Sequence, residues 1–332
     1  MRAATYTGTG GIKVIAIRDD VPEPEVGSDD ASVEVAYAGL NRADILERRG
    51  GYPGPAREPV IPGLEYSGIV NAIGSRVTNV AVGDAVCGLV SAGAHATQVA
   101  AHALTLSKVP SGLSLRDAAA LPEAFITAHD ALFARGRLRL GQSVLVHAVG
   151  SSVGLAAVAL ARRAGATTLG TSRTQSKLDR ARACGLDYGF VLDESWLGRV
   201  LAATDARGAD VILDFVGAPM LERNCKALAT GGRIVQIGAM GGTRATVDLG
   251  TLMSKRGELH GTVLRSRPLE EKIALAKGFT RELLPLFERA QLRPEIDSVF
   301  PLGRLADAHA HIEGDANFGK ILIEIRSGAG TS

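Results

Sequence analysis

The sequence predicts an α/β protein in which a doubly wound parallel sheet of the Rossmann type accompanies a smaller, β-rich domain. The length of 332 residues favours about two domains, because it is long for a single core. Up to about residue 121 the chain consists of short alternating segments between turns, which is typical of β structure. Beyond that point apolar strands alternate with helical stretches, which indicates a parallel sheet with helices on both faces.

The β-rich domain is predicted from segments such as ASVEVAYAGL and YSGIVNAIG, and a proline-rich loop between them cannot be helical. After about residue 267 a long helix, EEKIALAKGFTRELLPLFERA, precedes a final strand, GKILIEI. We expect this tail to return to the β-rich domain. The predicted boundaries are residues 1–124 with 268–332 for the β-rich domain and residues 125–267 for the parallel-sheet domain.

Residues 144–166 form the predicted centre of the second domain: an apolar run, VLVHAV, a small-residue turn, GSSVG, and a helical pattern. The turn presents the first, unpaired N–H groups of the helix, whose dipole favours a phosphate. A glycine suits the tight turn and another suits a close contact of helix and strand, while a serine hydroxyl can donate to phosphate. The alternative is that these small residues only pack the helix onto the sheet. The predicted pyrophosphate contacts are Gly150, Ser151, Ser152, Val153 and Gly154.

The end of the next predicted strand indicates which dinucleotide binds. In NAD-binding folds an acidic residue bonds the ribose 2′-hydroxyl here, whereas a 2′-phosphate needs cations and hydroxyls. Residues 171–177 contain no carboxylate but include Ser172, Arg173 and Lys177. These side chains suit a 2′-phosphate, so NADPH is expected in preference to NADH. The alternative is that the charges belong only to a solvated helix start.

Composition excludes several partners. The chain is 46% hydrophobic and 22% charged, as in globular proteins, and its formal net charge of +2 comes from 37 basic and 35 acidic residues without a basic block. Nucleic acid and membrane surfaces are therefore not expected as partners. The chain shows neither a run long enough to span a bilayer nor the apolar segment of a signal peptide, so a cytoplasmic location is expected.

No metal site is predicted. Cys87, Cys184 and Cys225 are widely spaced without a C-x-x-C pair, which indicates buried thiols rather than a disulfide framework or zinc site. His309 and His311 lie two apart on a predicted helix and therefore point to different sides of it.

Several separated motifs occur in one order along the whole chain: GLNRADILERRGGYPGP, IPGLEYSGIV, VTNVAVGDAV, ALPEAFITAHDAL, GQSVLVHAVGSSVG, TVLRSR and ANFGKILIEI. Together they resemble the zinc-free NADPH quinone oxidoreductases of the medium-chain dehydrogenase/reductase superfamily, in the zeta-crystallin-like branch near the tumour-suppressor-induced enzyme. The resemblance implies a GroES-like β domain beside a Rossmann domain. It also implies a homodimer formed through the sheet edge, for which RIVQIG and RATVDLG are the expected last strands.

The zinc alcohol dehydrogenases of this superfamily carry a cysteine where this chain has Asn41, and G-H-E where it has Gly63, Leu64 and Glu65. Two expected ligands are missing, so the chemistry is expected to run without zinc. An acceptor that is already electrophilic suits such chemistry. The first expectation is hydride transfer from NADPH to a quinone; reduction of 2-alkenals or enoyl thioesters, and NADPH binding without turnover, are the alternatives.

The resemblance also implies roles for individual residues. Asn41 and Thr127 match positions near the nicotinamide, and Tyr52 matches an aromatic residue that contacts the acceptor, with proton donation left open; these three form the predicted catalytic set. Tyr52 as a loop anchor, Thr127 as an ordinary helix residue and Arg265 as a surface charge are the alternatives. The chain departs from the family at Ser152, where glycine is frequent, and at Leu192, near which a tyrosine helps to hold the 2′-phosphate. The other positions matched to the cofactor are Phe215, Val216, Gly217, Gly238, Met240, Gly241, Leu264, Arg265, Asn317 and Lys320.

Overall fold

The structure is a computed structural model that describes residues 1–51 and 59–326. The chain divides into two compact units, Met1–Ile126 with Leu264–Ser332 and Thr127–Val263, called here the first and second units.

The strands are, in chain order, β1 (Ala3–Tyr6), β2 (Ile15–Arg18), β3 (Asp30–Leu40), β4 (Glu65–Ile73), β5 (Ala85–Leu89), β6 (Gln98–His102), β7 (Leu106–Lys108), β8 (Ser143–Val146), β9 (Thr167–Ser172), β10 (Tyr188–Val191), β11 (Ala209–Asp214), β12 (Leu228–Gln236), β13 (Glu258–Gly261), β14 (Ile296–Pro301) and β15 (Lys320–Glu324). The helices are α1 (Arg42–Arg48), α2 (Leu115–Ala118), α3 (Pro122–His129), α4 (Ser152–Arg163), α5 (Gln175–Ala183), α6 (Trp196–Ala203), α7 (Ala218–Ala227), α8 (Leu249–Ser254), α9 (Leu269–Gly278), α10 (Leu284–Glu288) and α11 (Leu305–Glu313). Short π-helical turns, Asp130–Arg135 and Phe279–Leu283, follow α3 and join α9 to α10.

The first unit is built on a sheet that runs β14-β15-β3-β4-β5-β7 among the described residues, with β6 also paired to β3. The pairs from β15 to β7 are antiparallel, and β14 lies parallel to β15. The C-terminal strand β15 pairs with β3 and aligns Leu322 with Gly39. Alternating apolar side chains of β3, including Val33 and Val35, pack in the core of this unit with Ile321 and Ile323 of β15.

The second unit contains a parallel sheet in the order β10-β9-β8-β11-β12-β13. Counted within this unit the order is 3-2-1-4-5-6, the arrangement of a Rossmann fold, which confirms the prediction of a doubly wound sheet. Its central strands β8 and β11 are almost entirely buried, and helices α4 and α7 pack against them. Trp196 of α6, 1% exposed, anchors the core and meets the His147 ring edge-on at a centroid distance of 5.4 Å.

Two expectations about the ends of the chain and sheet had different outcomes. The long helix expected after residue 267 is confirmed as a continuous helical stretch through α9, a π turn and α10. The strand expected at RATVDLG is wrong: residues 244–248 form no strand, and the edge of the sheet is β13, which lies parallel to β12. Within the described ranges, no helix is long and apolar enough to cross a bilayer.

Candidate cofactor and acceptor sites

The predicted phosphate turn links β8 to α4. Ser151 is the N-cap of α4, and its hydroxyl oxygen accepts a hydrogen bond from the Gly154 N–H at 3.1 Å. The left-handed backbone conformation in this turn falls on Ala148, with φ 47°. A Cβ at Gly154 would lie 2.8 Å from the Val149 carbonyl oxygen and 2.9 Å from that of Ala148. Only glycine therefore permits this close approach of helix and turn, as a dinucleotide-binding turn requires.

The loops expected to contact the cofactor meet within the second unit. The sheet order reverses between β8 and β11, so the chain segments that follow these strands leave the same edge, where ligands of doubly wound sheets bind. Residues 215–217 follow β11, and residues 238–241 follow β12. The Gly241 N–H donates to the Val216 carbonyl at 2.8 Å, and the Ala218 N–H donates to the Gly242 carbonyl at 3.0 Å. The structure thus brings these two predicted loops together, and Met240 lies exposed in the second of them.

A row of buried hydrogen bonds holds the first of these loops, residues 215–217. Asp214 ends β11, and one of its carboxylate oxygens accepts hydrogen bonds from the N–H groups of Val216 at 2.6 Å and Gly217 at 3.0 Å. Its other oxygen accepts from the Asn224 side chain of α7 at 2.8 Å. Asp214 and Asn224 are fully buried. The carboxylate therefore fixes the backbone of the loop at residues 215–217.

The same row of hydrogen bonds continues to His147 and fixes the tautomer of its imidazole. Because the Asn224 NH₂ group donates a hydrogen bond to Asp214, the Asn224 side-chain oxygen faces His147 Nε2, 2.7 Å away, and accepts a hydrogen bond from the Nε2–H group. Nδ1 then accepts from the Thr171 hydroxyl at 2.8 Å. Burial lowers the pKa of His147, which favours this neutral form. The sequence analysis did not predict this row of hydrogen bonds. The only signal for it in the sequence is the polar residues at the ends of apolar strands.

The residues predicted to bind the 2′-phosphate lie together at the end of β9. Ser172 is the last residue of β9 and is buried, Arg173 is exposed, and Lys177 is half-buried in the first turns of α5. The Ser172 hydroxyl oxygen accepts a hydrogen bond from the Thr174 N–H at 3.4 Å. Residues 171–177 at the end of this strand therefore supply two cations and a hydroxyl but no carboxylate of their own.

In the first unit, Lys320 forms a buried network with Glu65 and Asn41. The Lys320 ammonium forms an ion pair with Glu65, and the two side chains are 1% and 0% exposed. It also donates to the Asn41 side-chain oxygen at 2.7 Å, while the Asn41 NH₂ donates to Glu65 at 2.9 Å. Lys320 and Asn41, which were both expected near the cofactor, are thus hydrogen-bonded to each other in this Lys320–Glu65–Asn41 network. Asn317, also expected there, donates to the Gly319 carbonyl at 3.0 Å.

Burial perturbs the carboxyl groups and histidine around this network. Asp44 caps the start of α1 by accepting from the Asn41 N–H at 2.7 Å, and burial raises its pKa to about 6. Burial and the negative charge of Glu65 raise the pKa of Glu123 to about 7. Burial lowers the pKa of His95 to about 4, so this imidazole is neutral. Among residues 1–51 and 59–326, no group of three or more His, Cys, Asp or Glu side chains could hold a metal ion.

The first unit also contains a cavity of about 30 Å³, which has room for a water molecule or two. Two residues matched to the cofactor, Leu264 and Arg265, lie in its wall. Arg265 is 7% exposed, forms an ion pair with Glu47 and donates to the Ser91 carbonyl at 2.7 Å, so it is not a surface charge. The other lining residues are Leu64, Gly88, Leu89, Val90, Thr105, Ser107, Pro122, Glu123, Ile126, Lys272, Leu275, Ala276 and Phe279.

Thr127 and Tyr52 are the two remaining members of the predicted catalytic set. Thr127 lies in α3 and is 6% exposed, and its hydroxyl has no hydrogen-bond partner among the described residues. Such a buried hydroxyl suits a polar ligand group, because leaving it unpaired is costly. Tyr52 lies outside the described residues.

Both parts of the chain match known families. Residues 27–129 match the alcohol dehydrogenase GroES-like domain and residues 152–278 match the zinc-binding dehydrogenase family. A quinone oxidoreductase of Lama guanicoe is 30% identical and covers 98% of this chain and 98% of its own length. The pikromycin polyketide synthase component PikAII of Streptomyces venezuelae is 32% identical over 92% of this chain but only 8% of its own. The NADPH-complexed quinone oxidoreductase of Escherichia coli superposes with a TM-score of 0.88, at 26% identity, over 98% of this chain and 100% of its own.

The Rossmann sheet, the turn at its switch point and these matches define a nicotinamide-dependent oxidoreductase. The chain belongs to the quinone oxidoreductase family of the medium-chain dehydrogenase/reductase superfamily.

The buried ion pair yields a stability prediction. Lys320→Met leaves the Glu65 carboxylate buried without its cation, which is expected to destabilise the protein by about 3–5 kcal/mol. Lys226→Met is the matched control, because Lys226 pairs with Glu222 on the exposed face of α7 and such pairs contribute little. Urea unfolding measures both. Equal, small changes for the two variants would show that the buried pair is not required for stability.

Proposed function

We propose that the protein is a zinc-independent, NADPH-dependent reductase that transfers hydride to a quinone. The observation that carries this proposal is the Lys320–Glu65–Asn41 network. It holds an ammonium group between two positions that, in the resemblance, match the metal-binding segments of zinc dehydrogenases. A second cation there would be repelled at short range. An acceptor that needs no Lewis acid, such as a quinone, suits this arrangement.

The residues present fit a bound NADPH. The capped N-terminus of α4 and the close approach at Gly154 suit the pyrophosphate, and the cations after β9 suit the 2′-phosphate. The unpartnered hydroxyl of Thr127 suits the nicotinamide carboxamide. When bound, the cofactor supplies a hydride from C4 of its nicotinamide ring. The protein orients the ring and excludes water, for which we propose Asn41, Thr127 and the loops at residues 215–217 and 238–241; contact of Tyr52 with the acceptor stays a prediction.

A second candidate is reduction of a 2-alkenal or an enoyl thioester, which uses the same hydride chemistry. The similarity to part of a polyketide synthase favours it. NADPH binding without turnover is the third candidate. We propose the cytoplasm as the compartment, because all three cysteines are free thiols, as in a reducing environment.

Acceptor-dependent oxidation of NADPH tests the proposed activity. An ortho-quinone, a 2-enal and an enoyl thioester are each added to the purified protein, and absorbance of the reduced cofactor is followed. Oxidation with the quinone alone is expected, because a quinone accepts hydride more readily than an enal or a thioester and so depends least on help from the protein. Oxidation only with the enal or thioester would support the second candidate. NADPH binding without oxidation by any of the three would support the third.

The proposed 2′-phosphate site predicts a change in cofactor preference. Arg173→Glu or Lys177→Glu is expected to raise the dissociation constant of NADPH about tenfold or more, because a charge-assisted hydrogen bond is lost and repulsion is added. NADH binding should change little. Titration of bound-cofactor fluorescence measures both constants. Arg182→Glu at the far end of α5 is the charge-matched control, and equal losses for NADPH and NADH would contradict the assignment.

A homodimer is proposed through the edge strand β13. This strand ends the sheet order and carries the exposed Leu259, with exposed Met253 and Val263 nearby in sequence. Leu259→Glu places like charges across a two-fold contact and is expected to yield monomers in sedimentation velocity. Leu140→Glu, an exposed leucine away from this edge in the sequence, is the control. A wild-type protein that sediments as a monomer would refute the dimer.

A further inference from the structure

Asp214, at the end of β11, contacts both of the second unit's loops that are proposed to orient the nicotinamide ring. Its carboxylate accepts hydrogen bonds from the N–H groups of Val216 and Gly217 in the loop that follows β11. Its backbone carbonyl accepts from the N–H groups of Ile237 at 2.8 Å and Gly238 at 3.3 Å, where the loop after β12 begins. One residue therefore sets the positions of both loops relative to the end of the sheet.

The orientation of the Asp214 carboxylate depends on Asn224. A carboxylate turns readily about the bond that carries it, so one oxygen stays on the loop only if the other is held. That other oxygen accepts from the Asn224 NH₂ group at 2.8 Å, and the Asn224 oxygen lies on His147 Nε2. All three side chains are 0% exposed, so bulk water does not replace a lost partner. Asn224 thus holds the carboxylate in the one orientation that binds the loop.

The end of β9, where the 2′-phosphate is proposed to bind, is held by its backbone instead. The Val149 N–H donates to the Thr171 carbonyl at 3.0 Å, and the Leu192 N–H donates to the Ser172 carbonyl at 2.7 Å. These bonds to the two neighbouring segments do not involve the Asn224 amide. Loss of that amide should therefore loosen the two loops and leave the end of β9 in place.

We propose that Asn224 is a positioning residue of the cofactor site, which acts through Asp214 to fix the loops around the nicotinamide half of NADPH. The inference rests on the proposed function, which assigns these loops to the nicotinamide ring. Asn224 acts from α7 and through another residue, so its contribution is to geometry rather than to the reacting atoms. A ring held at the wrong angle transfers its hydride slowly even when it is bound.

Binding of the whole cofactor and of its adenosine half separates this role from a general effect on stability. Asn224→Leu leaves one oxygen of Asp214 and the Nε2–H group of His147 buried without a partner. Its dissociation constant for NADPH is expected to rise about tenfold, because hydrogen bonds to a buried charge are lost beneath the loops. Its constant for 2′,5′-adenosine diphosphate, which carries the 2′-phosphate but no nicotinamide, should change little. Isothermal titration calorimetry measures both constants.

The rate of hydride transfer gives a second readout. With NADPH saturating, a single turnover with the acceptor that the wild type reduces is expected to be about tenfold slower in Asn224→Leu, because the ring is no longer aligned. A change confined to stability would not slow the reaction of enzyme that is folded and fully loaded. Circular dichroism shows whether the variant is folded.

Thr204→Val is the matched control, because it also removes buried hydrogen bonds from the second unit. The Thr204 hydroxyl donates to the Val200 carbonyl at 2.9 Å and accepts from the Gly208 N–H at 3.0 Å, just before β11 begins. Asp214 lies at the opposite end of β11. Both dissociation constants and the rate of hydride transfer should therefore stay close to those of the wild type.

A second pair of variants keeps the test open if Asn224→Leu does not fold. His147→Leu leaves Asp214 its partner but removes the donor that orients the Asn224 amide, so a smaller rise in the NADPH dissociation constant is expected. The amide of His147→Gln can donate to Asn224 and accept from Thr171, so this variant should restore the wild-type constant. A loss as large in His147→Gln as in His147→Leu would contradict the role of these hydrogen bonds.

The outcomes distinguish this inference from the proposed function. Equal losses of affinity for NADPH and for 2′,5′-adenosine diphosphate in Asn224→Leu would mean that Asn224 only stabilises the fold, and would overturn its positioning role. An unchanged NADPH constant together with an unchanged rate of hydride transfer would also overturn it. A wild-type protein that binds neither NADPH nor the adenosine half would overturn the proposed function as well.

Discussion

The first unit depends on one buried ion pair, that of Lys320 with Glu65. Removing two charges from water is expensive, and hydrogen bonds from Asn41 and from the Glu123 N–H help to offset this cost. Lys320 and Asn41 are 279 positions apart in sequence. The pair therefore forms only when β15 has joined β3 in the sheet, which links the C-terminal segment to the start of α1 and of α3.

The second unit contains a comparable buried network, but there a single carboxylate, that of Asp214, is hydrogen-bonded to neutral groups. A row of hydrogen bonds links Thr171, His147, Asn224 and Asp214 across the ends of β9, β8 and β11. Its buried donors and acceptors match one another in only one orientation of the amide and one tautomer of the imidazole. The loop at residues 215–217 is thereby held in a single conformation at the switch point. Each unit thus contains a buried polar network among the residues proposed to bind ligands.

Local patterns made much of the fold predictable. The run VLVHAV, the turn GSSVG and the following helix appeared from periodicity alone, because neighbouring residues decide strand, turn and helix there. RATVDLG shows where such reasoning fails. Its alternation suits a strand, yet residues 244–248 form none and β13 occupies the sheet edge instead. Alternation establishes that a strand is possible, whereas pairing depends on which partner the topology supplies. The roles proposed for Asn41, Tyr52 and Thr127 came only from resemblance to known proteins, because no local pattern in the sequence indicates them.

By itself, the sequence determined the alternation of strands and helices, the small-residue turn between β8 and α4, the cationic end of β9 and the lack of cysteine and histidine where zinc dehydrogenases carry them. These features depend on residue type and on spacing within a few turns or strands. The tertiary structure alone decided that Lys320 meets Glu65 and that Arg265 meets Glu47 across 218 positions. Contacts of that kind follow from sheet order and from the need to pair every buried charge, and neither is written in the local sequence.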